Sequence, residues 1–435
     1  MTIQIDDSET QGPSPAVGPS RPYLFKLLGP GLITGASDDD PSGIATYSQA
    51  GAAFSYGLSW AMLVSYPLMV AVQMISARIG RTTGRGIAGV LRLHYPQWLL
   101  NGVVALLLVA NVINLGADLG AMADAAALLL PAPLALYVLL FAAVCVSMQI
   151  FMQYTRYVAA LKWLTVALFA YFGVLLVVHV NWRELLAGLF LPRFSIKGAY
   201  LTTLVAILGT TISPYLFFWQ ASEEAEDSRV SPSRLDLVDA PSQGPAALRR
   251  IEIDTVVGMG FSNLVALAII ITTAATLHTH GITNIQTSAQ AAAALRPLAG
   301  KFAAAVFAVG IIGTGLLAVP VLAGSAAYAI GEARQWPTGL ARRPKEAQAF
   351  YATLVIATMV GMIINFAPID PIKALFWSAV INGVVAVPVM VVMMLLTARP
   401  DIMGQFVVSG ALKFFGWLAT GLMGVVVVAM LALMV

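Results

Sequence analysis

Ser37-Asp38-Asp39-Asp40-Pro41-Ser42-Gly43 interrupts an otherwise apolar stretch running from about residue 29 to 53, and its reading decides the fold. A helix needs roughly 20 apolar residues to cross a bilayer, and this stretch has them. Proline removes a backbone donor and clashes with the preceding turn, so a helix through Asp40-Pro41 unwinds there. Carboxylates near the bilayer centre are costly, and several together call for a bound cation or a water-filled cavity.

The rest of the chain fits that reading. Of 435 residues, 59% are hydrophobic and only 10% charged, and the mean hydropathy is +0.84. A soluble domain carries about 25% charged residues, so this chain cannot cover a water-facing surface. Apolar runs recur near 29–53, 57–79, 100–128, 134–155, 160–180, 200–222, 255–278, 302–331, 350–368, 373–397 and 411–434, which makes eleven spans. The runs are continuous rather than alternating, which favours helices over a β-barrel. Residues 1–28 read as a polar, disordered tail on the cytoplasmic side, with no signal-peptide pattern. Cys145 is the only cysteine, so there is neither a disulfide framework nor a thiolate metal site. A net charge of +3 gives no reason to expect nucleic acid as a partner.

Lys and Arg set the orientation. With the N-terminus inside, the inner segments hold 18 of the 24 basic residues, Arg21, Lys26, Arg78, Arg81, Arg156 and Lys162 among them, and the outer ones hold six. The expectation is a plasma-membrane protein with its N-terminus in the cytoplasm and its C-terminus outside. The longest polar stretch, 222–250, joins spans six and seven and opens with Glu223, Glu224, Glu226 and Asp227. It reads as a solvated cytoplasmic loop or, alternatively, as an acidic funnel that attracts cations.

Span six carries a second interruption, Thr210-Thr211-Ile212-Ser213-Pro214. Spans one and six each open a block of five, and broken helices at matching positions point to an inverted repeat around a midplane site. Hard divalent cations prefer carboxylate, carbonyl and water oxygens. Asp40 supplies charge, the carbonyls near Ser37 and Thr210 supply neutral oxygens, and Ser213 offers a hydroxyl. The breaks themselves contain no Cys, His or Met, which favours Mg²⁺ or Mn²⁺ over softer ions. The small residues Gly43 and Ser213 suggest room for a partly hydrated ion.

From Gly29 to the end of span ten the sequence resembles the Nramp family of divalent-metal transporters. The resemblance is strongest over Gly29-Pro30-Gly31, Asp40-Pro41-Ser42-Gly43, Gln73-Met74-Ile75-Ser76-Ala77-Arg78-Ile79-Gly80 and Thr83-Gly84-Arg85. Weaker echoes are Asn111–Asp118 and Asn263 with Ala275-Thr276-Leu277-His278. The resemblance implies an all-α, LeuT-like fold of two inverted five-helix repeats, 29–180 and 200–397, with an extra helix at 411–434. It also implies alternating access around spans one and six. Three departures bear on the substrate. Gly43 stands where the family motif has a ligating Asn, and Ser213-Pro214-Tyr215 stands where it has Met-Pro-His. Asp118-Leu119-Gly120-Ala121 lacks the family's Glu. The pattern is similar to the Nramp-related magnesium transporters, described as carrying hydrated Mg²⁺ without proton coupling.

Other residues fill out the expected site. Asn382 in span ten is either a ligand or a helix-packing residue. Asn111, Asn114 and Asp118 share one face of span three, as a buried polar network or as part of a pathway. Asp39 is a candidate ligand, direct or through water, and Asp38 is expected to face an outer vestibule. Tyr215 and Gln220 are expected at the inner exit, with Glu223 and Glu224 beyond them. His278 and His280 read as incidental, and Gly84-Arg85-Gly86 is too short for a phosphate loop. The expected function is monomeric, divalent-cation transport, Mg²⁺ foremost, with no cofactor and no enzymatic constellation. The alternatives are a proton-coupled Mn²⁺/Fe²⁺ importer, a sodium-coupled organic-solute symporter and a non-transporting sensor.

Overall fold

The computed structural model describes residues 34–434 apart from 36, 152–165, 193, 232 and 368. The tail 1–28, the first turn of span one, the junction of spans four and five, and Arg21, Lys26, Arg156, Lys162 and Arg193 lie outside the described residues.

All eleven expected spans have a helical counterpart. Helix α1 (Pro41–Phe54) is the second half of span one, and α2 (Trp60–Thr83) is span two. A short α3 (Ile87–His94) precedes α4 (Gln97–Ala127), α5 (Leu134–Phe151) and α6 (Phe169–Val177). Span six is split into α7 (Gly198–Thr211) and α8 (Pro214–Val230). Then follow α9 (Gly244–Thr276), α10 (Ala303–Arg334), α11 (Gln348–Ile364), α12 (Pro371–Thr397) and α13 (Gly410–Ala432). Among the described residues, eight helical stretches are long and apolar enough to cross a membrane. The other three spans are represented by α1, α6 and the 17-residue α11.

Packing follows from which faces are apolar. Long α4 lies against α5, α10, α11 and α12, and α1 lies against α7, α9 and α12. Helix α8 packs on α2 and α10. The two broken spans therefore meet in the interior, with polar groups facing each other rather than lipid.

The stretch 222–250 is for the most part helical, not the expected long polar loop. Helix α8 continues to Val230 and α9 begins at Gly244, so only about 231–243 is a connection. Ser222, Glu224, Glu226 and Ser228 are buried. Each acidic side chain has found a partner: Glu224 pairs with Arg250 and Asp227 with Arg234. Glu226 accepts from Tyr328 Oη at 2.5 Å and from the backbone N–H of Leu340 and Ala341. Glu223 accepts from the same phenol at 3.1 Å. Carboxylates so engaged form neither a free funnel nor a solvated linker.

Candidate metal-binding site

The first break lies at Asp39-Asp40. Asp40 is extended (φ −68°, ψ 169°) and acts as the N-cap of α1, with Pro41 in the first helical position where its missing N–H costs nothing. Its Oδ1 accepts from Gly43 N at 2.7 Å and from Ser42 Oγ at 2.6 Å. Its Oδ2 points away from that cap and accepts from Asn114 Nδ2 at 3.0 Å. The Tyr215 phenol is 3.4 Å from Oδ2 and donates to the Ser37 carbonyl at 3.1 Å. One oxygen of Asp40 thus fixes the helix, and the other faces the second break.

That second break is built alike. Ile212 ends α7, Ser213 is extended, and Pro214 starts α8. The Ser213 hydroxyl turns back onto its own helix and donates to the carbonyls of Gly209 (2.7 Å) and Thr210 (2.8 Å). The carbonyl end of α7 bears the negative end of a helix dipole, a suitable neighbour for a cation.

Several sequence expectations change. Ser213 does not reach across a cavity, because the orphaned carbonyls of its own broken helix claim its hydroxyl. Gly43 does not open space. A Cβ there would lie 3.0 Å from Thr210 Oγ1 and 3.2 Å from the Tyr47 ring, so glycine lets α1 pack closely on α7. Asp38 does not face a vestibule. It is buried, and its Oδ2 accepts from Ser262 Oγ of α9 at 2.5 Å. Asp39 Oδ1 is 3.1 Å from the same hydroxyl, which has one proton to give. Tyr215 belongs to the site and not to an exit below it. Gln220 lies deeper along α8 and accepts from Thr34 Oγ1 at 2.5 Å, joining the two broken spans again.

Asp118 lies one turn beyond Asn114 on α4, fully buried, and neither carboxylate oxygen has a hydrogen-bond partner. Asn382 on α12 is buried with both amide atoms unpartnered, beside Gly383 where α12 meets Gly209 of α7. Asn111 donates to the Leu322 carbonyl and to Ser325 Oγ, tying α4 to α10. His278 Nδ1 is 2.7 Å from the Ala52 carbonyl, and His280 Nδ1 is 2.6 Å from that of Thr276, so both imidazoles hold backbone near the end of α9.

Asp38, Asp39, Asp40 and Asp118 are all buried, and among the described residues no ion pair includes any of them. Among those same residues, no three His, Cys, Asp or Glu side chains form a ready-made metal cage. These carboxyl groups are bonded only to hydroxyls, the Asn114 amide and the Gly43 N–H, with the carbonyl end of α7 beside them, an arrangement suited to holding a hard cation loosely.

Sequence reasoning missed Ser262, the direct Asn114–Asp40 bond and Met122. Met122 packs with Pro41 against Gly315, which brings a sulfur close to the first break. The signal available for Ser262 was a hydroxyl inside an apolar span, and Tyr215, expected at the inner exit, carried no sign of its contact with Ser37 and Asp40.

Residues 31–433 match the family model described as natural resistance-associated macrophage protein-like, Nramp. The chain belongs to this family. A divalent metal cation transporter of Deinococcus radiodurans is 28% identical over 405 residues, covering 91% of this chain and 86% of that protein. One from Erwinia tasmaniensis is 26% identical over 94% of each. The manganese transporter of Eremococcus coleocola superposes with a TM-score of 0.74 at 18% identity, over 96% of this chain and 89% of its own. A nucleobase-cation-symport-1 transporter, Mhp1, superposes at 0.53 with 13% identity, over 98% and 96%. The fold is the expected LeuT-like one, in a multi-pass membrane protein.

Proposed function

We propose that this chain carries a divalent metal cation across the plasma membrane by alternating access, with Mg²⁺ its preferred cargo. The observation that carries the reading is the group of four buried, ion-pair-free carboxylates beside two facing helix breaks. The names of its relatives, divalent metal cation transporters, agree with the divalent-cation part of the reading and say nothing of Mg²⁺. The cation takes the place now held by the Asn114 and Tyr215 donors at Asp40 Oδ2. The Ser37 and Thr210 carbonyls and the Asn382 amide complete its neighbours, with Asp39 acting through water. Each cation ligand proposed here is an oxygen, which suits Mg²⁺ and tolerates Mn²⁺. The orientation is N-terminus in and C-terminus out, and the monomer is the working unit.

Flux into proteoliposomes tests this. Mg²⁺ entry without acidification of the lumen is the expected result. Mn²⁺ entry with strong acidification and no Mg²⁺ flux overturns the Mg²⁺ reading.

A second reading, a proton-coupled Mn²⁺/Fe²⁺ importer, is favoured by two observations. Met122 brings a soft sulfur against Gly315, which Pro41 also approaches, and Asp118 is a buried carboxyl group with no hydrogen-bond partner. A sodium-coupled organic-solute symporter shares the fold, but Asp38-Asp39-Asp40 would repel a carboxylate substrate at the break.

A further inference from the structure

The turn Thr83-Gly84-Arg85-Gly86, between α2 and α3, takes no part in the cation site. It is gripped from far along the chain by Glu332, near the end of α10. Glu332 Oε1 accepts from Gly86 N at 3.1 Å and from Ser222 Oγ at 3.1 Å, and Oε2 accepts from Gly89 N at 3.0 Å. Helix α3 has no side-chain cap of its own, so Glu332 supplies the negative charge its N-terminus favours. Gly86 has φ −71°, ψ 176°, a conformation open to any residue. What excludes a side chain there is space, because a Cβ would overlap the Glu332 carboxylate and the Ser222 hydroxyl. Ser222 is buried on α8, the helix that starts at the second break.

One carboxylate thereby joins α3, α8 and α10. Other bonds lie nearby: Arg92 to the Ala333 carbonyl, Ser76 to the Phe217 carbonyl, and Glu226 of α8 to the Tyr328 phenol of α10, but none of these reaches the N-terminus of α3. A charged acceptor makes strong hydrogen bonds, yet water replaces its donors at small net cost once the interface opens. That combination closes firmly and releases reversibly, which an apolar contact of the same size does not.

We propose that Glu332 is a gating residue, a three-way latch that holds α8 against α3 and α10 while the transporter is closed on that side. The latch releases in each cycle when the far end of α8 becomes accessible. The proposal rests on the alternating-access reading but not on which ion is carried.

Cysteine accessibility tests it in the full chain, with Cys145 replaced by Ala. Ala225→Cys reports from α8, one turn past Ser222, and Ala52→Cys reports from α1, beyond the first break on the opposite side. Both positions are buried. Glu332→Ala should raise maleimide labelling at position 225 about tenfold or more, the factor expected from one charged hydrogen bond, and lower it at position 52. Ser222→Ala removes the one donor that α8 gives to Glu332 and should shift both rates the same way, by a comparable or smaller factor. Reciprocal change is the signature of a shifted gate. Unchanged rates, or rates that rise together at both reporters, overturn the proposal. If Glu332→Ala does not fold, absence of a reciprocal shift in Ser222→Ala overturns it equally.

Discussion

Replacing Tyr215 with Phe keeps the ring and removes only the hydroxyl that bridges the two helix breaks. In the cation-free protein that hydroxyl satisfies the Ser37 carbonyl at 3.1 Å and approaches Asp40 Oδ2 at 3.4 Å. Its loss leaves a buried acceptor short of a donor, which should destabilise the cation-free protein by about 1–2 kcal/mol. The bound state loses less, because in the proposed site the cation replaces the phenol at Ser37 and Asp40. Cation affinity should therefore hold or rise, by at most about thirtyfold, since 1.4 kcal/mol corresponds to a factor of ten. Titration calorimetry with Mg²⁺ and Mn²⁺, paired with denaturation in the absence of divalent cations, measures both quantities on one preparation. Lower apo stability with unweakened binding is the expected pair. Binding weakened tenfold or more would refute the reasoning, for it would make the phenol a ligand rather than a placeholder.

Further expectations follow from the same contacts. Gly43→Asn should reduce flux severely, because its Cβ meets Thr210 Oγ1 and the Tyr47 ring; adding Thr210→Ala should recover part of the flux in a vesicle assay. Ser262→Ala should leave Asp38 without its donor and lower stability by about 1–3 kcal/mol in thermal or chemical denaturation. Glu224→Gln should destabilise by about 1–3 kcal/mol by leaving Arg250 half-partnered, and the double variant with Arg250→Gln should recover much of the loss. Asp118→Asn should leave Mg²⁺ flux intact if transport is uncoupled from protons, and a matching loss of flux and of lumen acidification would favour the coupled reading.

Much of this was legible because membrane sequence signals are local. Twenty-residue apolar runs locate spans, and Asp40-Pro41 and Ser213-Pro214 mark breaks wherever they fall in a helix. The candidate carboxylate was legible for the same reason. What escaped was the partner of each polar group. Asp38 and Ser262 lie 224 positions apart, and nothing local announces that they meet. The acidic run from Glu223 looked solvated because charge usually means solvent, but Arg250, Tyr328 and the backbone of residues 340 and 341 bury it. Gly43 and Ser213 were read by size alone. In the fold one admits a neighbouring helix, and the other turns its hydroxyl back to satisfy broken-helix carbonyls.

The central claim is that Asp40 supplies the charge of a divalent-cation site between the two breaks. Isothermal titration of the purified protein with Mg²⁺, Mn²⁺ and Ca²⁺, repeated on Asp40→Ala, tests it most directly. Saturable Mg²⁺ binding to the native chain, and its loss in Asp40→Ala with the fold intact, are the expected results. Undiminished binding in that variant would contradict it.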